Sequence, residues 1–334
     1  MTLWPYLPGW FQSGQKTARR RVAEWVPVGL KRIVRTLHRS LEMSDRAPTG
    51  NIRLRGEVAL ADVCQSVMGM APKAVTALGT ANASNSYLLD FGDSRLKCYE
   101  TESPERAKLV QQATHALQAG GIAIPRIHAI VGHVIFAEWV EGEALSWKTV
   151  SREWRGLARY QRQIHGCDVE AQVPAHRQFV HLEWLLARLE RDARRQPSCP
   201  SIGPLCERIR GLVPSDLEIR VVAPDFIPPN IVAAPDKGLT LVDNEFIALS
   251  AGFEFDILNT MHMAFPNDAA SREKYLEEYE SAGDSGTLRR HAAFWDICYR
   301  VKTAGKRFAL GDSAGGLREM AHLWRQVDGY GHGQ

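Results

Sequence analysis

A chain of 334 residues with 45% apolar and 24% charged residues and a net charge of +3 has the composition of an ordinary water-soluble protein, long enough for two modest cores. That balance does not suggest a nucleic-acid binder, and six scattered cysteines (Cys64, Cys98, Cys167, Cys199, Cys206, Cys298) without CxxC spacing argue against a disulfide scaffold or a zinc site. No run of about 18 apolar residues occurs, and Pro5, Pro8, Gly9 and Gln12 break up the start, so neither a membrane span nor a secretory signal is expected and the body is expected in the cytoplasm.

In chain order, residues 1–50 form a basic extension and linker, with nine Lys/Arg against three Asp/Glu. Within it Leu30, Ile33, Val34, Leu37 and Leu41 recur at helical spacing with Lys31, Arg32, Arg35 and Arg39 on the other face. This basic amphipathic helix fits either packing on its own domain or peripheral contact with an anionic inner membrane face. Residues 51–140 read as a small lobe. Short strands are expected at Val75–Leu78, Tyr87–Phe91 and Arg95–Tyr99, the last two joined by a Gly92-Asp93-Ser94 turn. Ser103-Pro104 opens a helix that Gly120-Gly121 closes, and strands follow at Ile122–Ile130 and His133–Trp139. Residues 141–334 read as a helical lobe, with helices at Trp147–His165, Val180–Arg195, Pro204–Leu212, Phe255–Phe265, Ser271–Ala282, Leu288–Phe308 and Gly315–Val327. A strand–turn–strand stretch, Arg220–Asn244, interrupts them. The fold class is therefore α+β, a small antiparallel β lobe followed by a larger helical lobe.

The stretch that carries chemistry is Val221–Glu245. Asp225 precedes Asn230 by five residues on a loop stiffened by Pro228 and Pro229, and a hairpin then delivers Asp243 at a strand end. Phosphoryl transfer from ATP needs a carboxylate at the acceptor hydroxyl and hard oxygen ligands for Mg²⁺. Taken singly these residues are also turn formers and caps; the D-x4-N spacing with an Asp 13 residues on is the more specific signal. HExxH, G-x-G-x-x-G and the Walker lysine motif do not occur, and the cluster Gly311–Gly316 reads as helix caps.

Val221–Glu245 resembles the catalytic core of the aminoglycoside phosphotransferase and choline kinase-like family, whose fold is protein-kinase-like and two-lobed. The resemblance extends over roughly residues 75–300, with LARYQRQIH (Leu157–His165), IAIPRI (Ile122–Ile127), VIFAEWVEGEAL (Val134–Leu145) and FEFDILN (Phe253–Asn259) in the family's order. It implies Asp225 as catalytic base, Asn230 and Asp243 as metal ligands, Glu245 as the following acidic residue and Asp256 as a support for the catalytic loop. It further implies a phosphate loop at residues 80–86 through Ser84 and Asn85, with Ala83 where the family has Gly. Lys97 would meet the nucleotide phosphates, the alternative being a solvent-facing Lys on an edge strand. Glu105 would be its acidic partner, with Glu102 a near rival, and Glu138, Trp139 and Val140 would grip adenine through their backbone. The implied activity is ATP- and Mg²⁺-dependent transfer to a hydroxyl of a small molecule, sugar or lipid-linked glycan. Three departures stand out: Ala223-Pro224-Asp225 replaces the family's HGD, Gln111 and Gln112 stand where a helix Glu is usual, and Asn244 replaces an aromatic residue. They leave open a catalytically weak relative that binds nucleotide as a sensor or scaffold.

Overall fold

The period-two runs between residues 74 and 138 pair as strands in the computed structural model of the chain, which describes residues 60–78, 86–146, 150–167, 179–196, 202–235, 237–281 and 286–330. Ser84, Asn85 and the basic helix expected at Leu30–Leu41 lie outside the described residues. The chain forms two compact units, one of residues up to 108 together with 125–139, the other of residues 109–124 together with 140 onward.

The first unit contains helix α1 (Leu60–Met68) and strands β1 (Ala74–Ala77), β2 (Ser86–Asp90), β3 (Arg95–Glu100), β4 (Ile127–Val131) and β5 (Val134–Glu138). The strands form one antiparallel sheet in the order β1-β2-β3-β5-β4. Alternation sends Leu89, Leu96, Cys98 and Phe136 to one face, where they pack on Leu60, Val63 and Cys64 of α1. The β2–β3 turn follows the expected chemistry: Gly92 takes φ +96°, and Asp90 Oδ1 accepts its N–H at 2.7 Å. β4 is shorter than the run Ile122–Ile130, since Pro125 has no N–H to give a ladder and a register shift follows between Ile127 and Ala129. Helix α1 was not among the expected elements.

Helix α2 (Pro104–Ala119) begins as anticipated, with Ser103 Oγ accepting the Arg106 N–H at 3.2 Å. It ends with Gly121 at φ +72° and the Ile122 N–H on Leu117 O at 2.9 Å. From Leu109 on, it belongs to the second unit.

The second unit is built from α3 (Val150–His165), α4 (Val180–Arg194), α5 (Gly203–Gly211), α6 (Phe253–Ala264), α7 (Ala269–Glu280), α8 (Gly286–Arg290), α9 (Ala292–Ala309) and α10 (Ser313–Tyr330). Two small sheets sit among them. β6 (Glu143–Ala144), β8 (Ile231–Ala234) and β9 (Gly238–Leu241) pair in the order β6-β8-β9, and β7 (Arg220–Val222) pairs with β10 (Ala248–Ser250). The single helix expected over Leu288–Phe308 is two helices broken at His291, whose Nε2 lies 2.7 Å from Asp216 Oδ1. Gly311 does end α9, at φ +78°, but Gly315 and Gly316 lie inside the first turns of α10, where a Cβ would run into Asp312 and Phe308.

Candidate active site

The hairpin β8–β9 sets the register of the site. Ile231 opposes Leu241, and the Val242 N–H donates to Asn230 O at 2.9 Å, one step beyond the formal strands. Asn230 at the foot of β8 and Asp243 at the end of the return strand are thus brought to the same end of one hairpin. A one-turn 3-10 helix, Pro228–Asn230, precedes β8, its φ angles prepared by two prolines. Asn230 Nδ2 donates to Asp225 O at 3.0 Å and the Ile227 N–H donates to the same carbonyl at 2.8 Å, closing the loop on itself. With its amide nitrogen spent, Asn230 keeps Oδ1 as the end that can face a cation.

Helix α6 holds this loop from below. Asp256, Asn259 and Thr260, spaced i, i+3, i+4 on one helix face, take three successive points of it. Asp256 Oδ2 accepts the Ala223 N–H at 2.5 Å, Asn259 Nδ2 donates to Pro224 O at 3.0 Å, and Thr260 Oγ1 donates to Phe226 O at 3.1 Å. Gln161 of α3 and Tyr275 of α7 extend the chain, Tyr275 O–H to Gln161 Oε1 (2.9 Å) and Gln161 Nε2 to Thr260 Oγ1 (3.0 Å). Asp256 is fully buried, with His165 Nε2 at 3.5 Å and His181 Nδ1 at 3.9 Å. Burial raises its pKa, and His165 and the Ala223 N–H offset part of that rise. Ala223, expected from the resemblance to stand in place of a histidine, is anchored through its backbone by a buried carboxylate that two histidines from α3 and α4 approach.

Two cations missed by sequence reasoning lie near Asp225. Lys302 of α9 donates to Asn259 Oδ1, one bond removed from the Pro224 carbonyl, and its charge interacts with that of Asp225. Burial brings the Lys302 pKa down to about 8. Arg188 of α4 also interacts with Asp225, and burial lowers its pKa. A signal existed: Arg188 falls between the buried Leu185 and Asp192, and Lys302 between Cys298 and Gly305, so each is a charge on the inward stripe of its helix.

The expected nucleotide-binding residues of the first unit are placed as follows. Lys97 occupies β3, between β2 and β5, so it is not on an edge strand; its ammonium lies 5.2 Å from the centre of the Tyr99 ring. Glu102 and Glu105 are exposed at the start of α2. Glu138 and Trp139 give their N–H groups to Arg126 O (2.8 Å) and Arg95 O (3.2 Å). Val140, counted with the second unit, packs with Val232 and Ala234, with Val242 against the same cluster.

Among the described residues no three His, Cys, Asp or Glu side chains gather as a metal-binding group. The donors at the hairpin's end, one amide oxygen and one carboxylate, nevertheless suit Mg²⁺, which takes one or two protein oxygens and fills its shell from phosphate and water.

Solved structures resemble this chain over most of its length. Choline kinase LicA from Streptococcus pneumoniae is 14% identical, with 81% of this chain and 98% of that one covered and a TM-score of 0.57. LicA in complex with AMP is 15% identical, with 81% and 97% covered and a TM-score of 0.58. Macrolide 2'-phosphotransferase MphH from Brachybacterium faecium is 16% identical, with 79% and 97% covered and a TM-score of 0.50. The fold is protein-kinase-like. No curated protein sequence matches the chain. The profile of the phosphotransferase enzyme family matches residues 76–294, and the chain belongs to that family. It is a phosphotransferase.

Proposed function

We propose that the chain transfers the γ-phosphoryl group of ATP to an alcohol group of a small molecule, glycans included, with Mg²⁺ as the metal. The observation that carries this reading is the α6-anchored loop that presents Asp225 beside the hairpin end bearing Asn230 and Asp243. The similarity to a kinase solved with AMP supports a nucleotide as the donor.

In this scheme the Asp225 carboxylate orients the acceptor hydroxyl and takes its proton as the new O–P bond forms and the bond from the γ-phosphorus to the bridging oxygen breaks, releasing ADP. Asn230 and Asp243 would hold the metal, which when bound offsets the negative charge of the phosphates. Lys97 is assigned to the nucleotide phosphates with Ser84 and Asn85, Glu105 to its support, and the backbone of Glu138–Val140 to adenine. Pre-positioning through Asp256, Asn259 and Thr260 is the chain's own contribution, because phosphoryl transfer leaves the protein mainly orientation and charge to supply. The replacement of HGD by Ala223-Pro224-Asp225 removes a side-chain brace while the backbone anchor at Ala223 remains, which favours a working enzyme over a nucleotide sensor.

An acceptor screen with labelled ATP, wild type against Asp225→Asn, tests the reading. Label should pass to at least one alcohol with the wild type and to none with the variant. ATP-dependent thermal stabilisation without transfer to any alcohol would instead identify a sensor.

A further inference from the structure

Two cations, Arg188 and Lys302, interact with the Asp225 charge, and their donors are only partly taken by carboxylates. Arg188 Nε stands 3.7 Å from Asp192 Oδ2, too far for a hydrogen bond, and is buried without an acceptor among the described residues. The Asp192 oxygens are taken instead by Arg191, whose Nε reaches Oδ1 at 2.8 Å and whose Nη2 reaches Oδ2 at 3.1 Å. Arg195 lies 3.7 Å from the same Oδ1, so one carboxylate serves three guanidinium groups along α4. Lys302 donates to the neutral Asn259 Oδ1, and Lys306, one turn further along α9, adds a repelling charge.

Aromatic surface adjoins these charges. The Arg188 guanidinium lies 5.6 Å from the centre of the Trp184 ring, and Trp184 meets Phe246 at 6.0 Å, three residues beyond Asp243. Trp184 and Phe246 are both half-buried.

Such an arrangement is costly, because a buried cationic donor without an acceptor loses hydration that nothing replaces. An anionic ligand relieves this by satisfying the donors.

We infer that the acceptor carries a carboxylate or phosphate group, received by Arg188 and Lys302 while its hydroxyl is presented to Asp225 and its ring or carbon skeleton lies on Trp184 and Phe246. This rests on the assignment of Asp225 above and adds a substrate class to it. Arg188 and Lys302 are then specificity-determining residues, and the site selects against choline-like and aminoglycoside-like cations.

The test uses the full chain with Mg²⁺ and the non-hydrolysable analogue AMP-PNP, followed by labelled ATP. Calorimetry would compare glucose, glucosamine, glucuronate and glucose 6-phosphate, with glycerol against glycerol 3-phosphate as a second series; the glucuronate and phosphate arms separate carboxylate from phosphate recognition. At least one anionic member should bind about ten-fold or more tightly than its neutral parent, and glucosamine most weakly. Arg188→Gln and Lys302→Gln should each erase that preference by raising the Kd or acceptor KM about ten-fold, while the KM for ATP moves less than about two-fold. Arg188→Lys and Lys302→Arg, which keep the charge, should retain most of it and show that the loss is not misfolding. Anionic members that bind no better than neutral ones, whether all bind or none does, would overturn the inference, as would a rise confined to the KM for ATP. Failure of the underlying phosphotransferase reading would show separately, as wild type that does not bind AMP-PNP with Mg²⁺.

Discussion

Asp225 and Asn230 are five residues apart in the chain and joined by a 3.0 Å bond from the Asn230 amide to the Asp225 carbonyl, so their relation is local and visible in the D-x4-N spacing. Asp243 is readable for the same reason, since a hairpin of short strands returns it to Asn230. Replacing Asp225 by Asn should cost about 10²- to 10⁴-fold in kcat while leaving nucleotide affinity nearly intact, the pattern of a lost proton acceptor. Asp243→Ala should instead weaken nucleotide binding about ten-fold or more in Mg²⁺ and remove most of the response of affinity to the metal, measured by titrating AMP-PNP with and without Mg²⁺. Arg188 and Lys302 were not readable in this way. Their charges act on Asp225 from helices 37 residues before it and 77 after it, and only their places on buried stripes marked them.

Glu254, fully buried on α6, belongs to the same scale. Burial pushes its pKa up to about 7, against the Thr287 hydroxyl that donates to Oε1 at 2.5 Å, while Oε2 has no hydrogen-bond partner among the described residues. A carboxyl whose pKa is raised on folding favours the folded state below its unfolded pKa of 4.5, and that contribution is lost as pH rises through 7. Wild type should therefore lose about 3 kcal/mol between pH 4.5 and pH 8 relative to Glu254→Gln. Urea melts of both proteins at pH 5 and pH 8 measure the difference. A gap that does not change with pH would contradict a neutral carboxyl at this position.

At the scale of elements, α6 matters most, because its Asp256, Asn259 and Thr260 fix the loop that carries Asp225. Its start is set by Gly252, which takes φ +95° and lies so close to the Phe179 ring that a Cβ would overlap it. Gly252→Ala should cost about 2 kcal/mol or more and lower activity with stability, since both the left-handed backbone and the contact are lost to it. Tyr160 of α3 makes a second tie, donating to Ala123 O at 2.6 Å and accepting the Leu241 N–H at 2.8 Å, so that it joins the segment after α2 to strand β9. Tyr160→Phe leaves a buried donor and acceptor unmatched and should cost about 1–3 kcal/mol by urea denaturation. The helices of the second unit were legible to within a few residues, because long amphipathic patterns repeat their signal over several turns. What escaped were the pieces that depend on partners distant in sequence: α1, whose apolar face is defined by the sheet it covers; β10, three residues long and fully buried; and the break at His291, held by Asp216 some 75 residues earlier.

For the whole molecule, the order of a β-rich unit before a helical one was present in the sequence, and the family profile matches residues 76–294. The acceptor was not: the residues proposed to choose it lie on α4, on α9 and after Asp243, which no local motif ties together. The strongly basic residues 1–50 give the chain a lopsided charge. Should the amphipathic pattern at Leu30–Leu41 act on a membrane, full-length protein will co-sediment with anionic vesicles and a chain lacking residues 1–45 will not; equal sedimentation assigns that helix to packing. Among the described residues no helix is long and apolar enough to cross a membrane.

The role of Asp225 is decided by phosphorus NMR of ATP with Mg²⁺ and the acceptor found in the screen, run with wild type and with Asp225→Asn. Wild type should convert the γ-phosphate signal to a phosphate ester in step with ADP, while the variant binds ATP and leaves it intact. Ester formation at the wild-type rate by Asp225→Asn would rule out Asp225 as the base.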